Sequence, residues 1–130
     1  MPLQPTHAYL ANTALLIGHQ LDSGMRRDWL EFGLPNGEQA FIVSNVALFL
    51  IVLFGHHQAL ERSPYAPGFS LCLGMTGSLT FPLHGIGVQM GILNRFTPVA
   101  EALLWAILAA SVVQTWLALR ELRDRVQALP

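Results

Sequence analysis

The sequence predicts an all-α, polytopic membrane protein: four transmembrane helices in an up-down bundle, with an amphipathic extension after the first helix and a charged C-terminal tail. Three observations predict it. Only 12% of the 130 residues are charged and 52% are hydrophobic, where a soluble domain carries roughly 25% charge to cover its surface. The fifteen charges are clustered, so that residues 1–21, 39–60, 63–94 and 102–119 carry none. The second of these runs holds 22 residues without a charge if histidine is neutral, and a helix needs about 20 to cross a bilayer core. With one span in place, the neighbouring apolar runs must be helices too, because lipid offers no partner to an unpaired backbone group. The length allows a single domain over residues 1–130.

The first helix is expected over about 7–30, starting after Pro5 with Thr6 as N-cap. Its apolar part is short, so the pattern is expected to run on through residues 22–32 as an amphipathic end held at the interface by Trp29 and Phe32. No basic residue precedes position 22, and Asn12 and His19 interrupt the apolar stretch, so no cleaved leader is expected. A turn over residues 33–37 leads to the second helix, 39–60. Arg62 to Pro67 contains two prolines and reads as the next connection. The third helix, 68–93, holds six glycines, among which Gly87-x-x-x-Gly91 has the spacing of a helix-packing motif. Pro82 should kink it where the Ser78 and Thr80 hydroxyls take up freed backbone groups. Thr97 and Pro98 have the N-cap and first-turn chemistry that starts a helix, expected over 98–122 and continuing as the charged tail.

The net charge of −1 gives no basic patch, which excludes nucleic acid as a partner. The expected partners are the lipid bilayer and a membrane protein or a second copy of the chain. Seven arginines and no lysine fit a GC-rich bacterial genome, so the bacterial inner membrane is the expected location. Arginine counts at the span ends favour both termini in the cytoplasm, by Arg62, Arg120, Arg123 and Arg125 against Arg26, Arg27 and Arg95. Cys72 is alone in an apolar run and reads as a small buried hydrophobe.

At about 1.5 Å of rise per residue, alternating helix directions give each polar group a depth. His19, Asp22, Asn45, His84 and Glu101 fall toward one side; His56, His57, Glu61, Gln114, Thr115 and His7 fall toward the other. Ionisable groups in a span are costly and face the bundle interior, where they mark functional sites. The first set draws on all four helices. His19, Asp22, His84 and Glu101 are therefore the candidate catalytic residues for proton transfer, and His19, Asp22 and His84 the candidate ligands of a divalent metal such as zinc. The plain alternative is that these groups hydrogen-bond the helices together. Two further readings stay open: an accessory or scaffold subunit of a larger membrane complex, and a haem- or chlorin-binding bundle with His56 and His57 as axial ligands.

At His19-Gln20-Leu21-Asp22, followed by Asp28-Trp29, the sequence resembles a family of small bacterial four-helix membrane proteins of unknown function. That family has a His-Glu-x-Asp motif at the end of the first span, an acid–Trp pair after it, and histidines in the second and third spans. The resemblance covers most of the chain, with His19, Asp22, Asp28, Trp29 and His84 as matching positions. Gln20 stands where the family has Glu, and Asn45 where a histidine is expected, so two strong metal ligands are missing. What the resemblance implies is the architecture; the family has no assigned reaction.

Overall fold

A computed structural model of the chain describes residues 4–31, 36–93 and 96–128. Four α-helices make up almost all of it: α1 (Pro5–Arg26), α2 (Gly37–Leu60), α3 (Ala66–Gln89) and α4 (Pro98–Gln127), with a single 3₁₀ turn over Asp28–Leu30 after α1. Three of them, α2, α3 and α4, are long and apolar enough to cross a membrane. Each helix packs on its neighbours in chain order, α1 also packs on α4, and α3 and α4 share the largest interface. Helices α1 and α3 also touch, while among the described residues α2 and α4 do not.

The helix ends follow local chemistry. Pro5 opens α1 in its first turn and Gln4 precedes it in extended conformation, so the helix begins ahead of the expected Thr6 cap. Instead of running on as an amphipathic extension to residue 30, α1 stops at Arg26. Arg27 turns left-handed (φ 59°) and its N–H reaches back to the carbonyls of Ser23 and Gly24. Trp29 then packs on Phe41, ring centres 5.1 Å apart; Phe32 and the turn at 33–35 lie outside the described residues. Thr97 caps α4 as expected, its hydroxyl accepting from the Ala100 N–H at 3.1 Å. The charged tail is the last part of the same helix, laced by Arg125–Glu121 at 2.6 Å.

The Gly87/Gly91 pair is a helix terminus and not a packing motif. Helix α3 ends at Gln89, Gly91 is left-handed (φ 70°), and the N–H groups of Ile92 and Leu93 return to the Gly87 carbonyl. Leu93 closes over Gly87, filling the place a side chain would take, as in a Schellman-type stop. The close approach of α3 to α4 lies lower, at Gly74 and Gly77. A Cβ on Gly77 would collide with the Ser111 hydroxyl, and one on Gly74 with that of Thr115. Around Pro82, Thr80 donates to Thr76 O (2.9 Å) and not to the carbonyl that the proline leaves free.

The interior is small and partly polar. Tyr9, Leu16, Val52 and Leu73 form an apolar cluster, with Leu104 and Ile107 of α4 also fully buried. Helix α2 contributes least: beyond Gly37, Val52, Gly55 and Ala59 it is exposed or half-exposed, with Ile42, Val46, Leu50, Leu53 and Phe54 bare. A helix hydrophobic all round belongs in a core or in lipid, and this one is not in a core.

Candidate functional site

Two polar clusters are built on the inner face of α1, about two turns apart in depth. The deeper one is Asn12, which is 1% exposed. Its Nδ2 donates to Ser111 Oγ at 3.0 Å and to Gln114 Oε1 at 2.7 Å. Close by in sequence, Thr13 Oγ1, Gln114 Nε2 and Thr115 Oγ1 are buried without a partner. Depth counting placed Gln114 and Thr115 with His56 and His57; the Asn12 contact shows that Gln114 belongs to the middle of the bundle. In the sequence Asn12 is legible only as an interruption of the apolar stretch of the first helix.

The second cluster begins at His19. The side chains that surround it come from sequence-distant helices because the registers are fixed elsewhere: Gly18 faces Leu103 and Gly24 faces Phe41, and Tyr9 O–H donates to Val52 O at 3.0 Å. His19 is 3% exposed and meets His84 of α3 edge to face, ring centres 5.0 Å apart at 70°. His84 Nδ1 lies 2.9 Å from Thr80 O. A carbonyl only accepts, so in the neutral ring Nδ1 carries the proton and Nε2 the lone pair. His19 Nδ1 is buried and has no partner, as is Asn45 Oδ1, whose own amide N–H donates to Phe41 O at 2.9 Å. The contacts of α1 with α2 put residue 45 near the depth of His19. The His19 Nδ1 nitrogen and the Asn45 amide oxygen thus lie without a partner near the level at which the His84 ring meets His19.

One turn further along α1 the polar face becomes ionic. Arg26 donates from Nε to Asp22 Oδ2 at 2.9 Å and from Nη2 to Asp28 Oδ2 at 2.8 Å. Ser23 Oγ donates to the same Asp28 oxygen at 2.6 Å. Asp28 is buried although it follows the helix end, because the left-handed Arg27 folds it back over the last turn. Asp28 Oδ1 has no partner.

Of the expected site residues, then, His19 and His84 are brought together. Asp22 is directed to Arg26, and Glu101 is exposed in the first turn of α4. Among the described residues, no group of three or more His, Cys, Asp or Glu side chains is arranged to hold a metal ion. His56 and His57 are at the other end of the bundle, His56 beside Tyr9 with ring centres 5.9 Å apart and His57 exposed. Cys72 is exposed and free, where burial was expected.

Residues 6–121 match the model of a family described as a family of unknown function, DUF6713. No curated protein and no solved structure matches the chain.

Proposed function

We propose, for a chain that belongs to the DUF6713 family of unknown function, an integral membrane protein that binds a divalent transition-metal ion between α1 and α3. Its four helices cross the bilayer with both termini in the cytoplasm, α1 being carried across by its packing against α2, α3 and α4. The more basic end, with Arg62, Arg120, Arg123 and Arg125, then faces the cytoplasm, as the distribution of arginines around bilayer spans favours.

The observation that carries the metal reading is the 5.0 Å separation of the His19 and His84 rings. Two imidazoles bound to one tetrahedral ion, each nitrogen about 2.0–2.1 Å from it, have ring centres roughly 5 Å apart. The open nitrogens support the same reading. His84 offers Nε2 because Nδ1–H is held by Thr80 O, the kind of outer contact that orients a metal-binding imidazole, and His19 offers the unpartnered Nδ1. Asn45 Oδ1 is the neutral oxygen nearest in depth. Two imidazoles leave positions for exchangeable ligands, which fits an ion that is passed on or used and not one that staples the fold. Asp22 takes no part, since Arg26 holds it.

Titration of the detergent-purified protein with Co²⁺ or Zn²⁺ tests this. Wild type and His57→Ala should bind about one ion per chain, with imidazole ligand-field bands for Co²⁺, and His19→Ala and His84→Ala should each lose it. Binding that survives both substitutions, or that is absent from wild type, would overturn the site. A protein that stays soluble and monodisperse without detergent would overturn the membrane reading.

A further inference from the structure

At the end of the bundle away from His19, a cavity of about 310 Å³ lies between the start of α1, the α2–α3 connection and the end of α4. Its polar lining is Gln4, Thr6, Arg62, Ser70, Glu121 and Arg125. We propose that it holds the phosphate of an anionic phospholipid headgroup, independently of the metal site.

Five features support that ligand. Ser70 is 3% exposed, lines the cavity and makes no hydrogen bond among the described residues, so a donor hydroxyl in the cavity wall is left for a ligand. Arg125 is fixed in place: its Nη2 donates to Glu121 Oε1 at 2.6 Å and to the Ser63 carbonyl at 3.2 Å, which leaves its other N–H groups for an anion. Arg62 has no ion pair among the described residues. The sum over Arg62, Arg125 and Glu121 is +1, matching the single charge of a phosphodiester, and Glu121 disfavours a dianion. Helices α1 and α3 both start here without a side-chain cap, so the positive ends of two helices point at the same region.

The setting selects lipid over a soluble phosphate. The bare apolar surface of α2 and α3 runs up to Leu60 and Tyr65 on either side of Arg62, which puts the cavity at headgroup depth with room for acyl chains along the helices. This is also the arginine-rich end, and basic pockets at the cytoplasmic surface of a bundle take anionic headgroups.

The test uses the full chain in mixed micelles of phosphatidylglycerol and phosphatidylcholine, read by lipid retained in native mass spectrometry and by the thermal midpoint. Phosphatidylglycerol should be retained over phosphatidylcholine and should raise the midpoint of wild type. Arg62→Gln should reduce retention about fivefold, the factor for about 1 kcal/mol per arginine at a membrane surface. Ser70→Ala should weaken retention as well, with helical content unchanged by circular dichroism. Arg123→Gln, which removes the same charge outside the cavity, should retain lipid like wild type. Equal retention of the two lipids, or an equal loss in Arg123→Gln, would overturn the proposal. Displacement of the lipid by millimolar inorganic phosphate would overturn it in favour of a soluble phosphate.

Discussion

Asn12 and Gln114, 102 residues apart in the chain, are joined by a 2.7 Å hydrogen bond in the middle of the bundle, with Ser111 taking the second amide hydrogen of Asn12. The two contacts use both donors of one short side chain to tie α1 to α4. Polar contacts between helices in lipid average about 0.6 kcal/mol and reach about 1.7. Asn12→Ala should therefore cost roughly 1–2 kcal/mol in unfolding from mixed micelles. A double-mutant cycle with Gln114→Ala should return a coupling of about 0.5–1 kcal/mol; purely additive losses would show that the bond contributes little.

The α3–α4 crossing makes a second, steric prediction. Because a Cβ at Gly77 would meet the Ser111 hydroxyl, Gly77→Ala should destabilise by roughly 1–3 kcal/mol, as overpacking does. Ser111→Ala in the same chain should restore part of the loss. Gly68→Ala, where nothing lies within 4 Å of the added atom, should be neutral or slightly stabilising. Thermal midpoints of the three variants and wild type decide the matter.

Arg26 neutralises two carboxylates, Asp22 at 2.9 Å and Asp28 at 2.8 Å. Arg26→Met should cost about 1–3 kcal/mol, since hydrogen bonds to charged groups are lost and Asp28 is left buried. Adding Asp28→Asn should recover a measurable share, because the stranded charge is removed. If Arg26→Met alone unfolds no more easily than wild type, the cluster is held by Ser23 and the backbone.

Orientation is tested by labelling. In a Cys72→Ser background, a cysteine at Asn36 should react with a membrane-impermeant maleimide added to intact cells, and one at Arg123 only after the membrane is opened. The reverse pattern would invert the proposed topology.

The helices were legible because their determinants are local and repeated: uncharged runs of the right length, prolines in first turns, and the Thr97 cap. The depth of His19 and His84 was legible for the same reason, since rise per residue is constant and the helices alternate. Glu101 shows what depth omits. It lies at the expected level but on the outside of α4, because which way a side chain points depends on helix rotation, set by contacts such as Gly77 with Ser111 that no single segment encodes. The end of α1 was misjudged because Arg27 takes up a left-handed conformation that sequence reserves for glycine or asparagine. Asp28 and Arg26 together stabilise that reversal, an arrangement visible only once the chain has turned.

The sparse attachment of α2 bears on assembly. Lipid tails are as apolar as its own side chains, so once inserted it gains little by leaving them for the other helices. Its fit at Gly55, where a Cβ would strike the Tyr9 hydroxyl, and the bond from that hydroxyl to Val52 O hold its lower half. Under the membrane reading, α2 is the least buried of the three span-length helices, and its docking becomes a separate and reversible event. Tyr9→Phe should then leave every helix formed and membrane-inserted while α2 drifts from α1, a change that distance measurements between spin labels on the two helices would register and circular dichroism would miss.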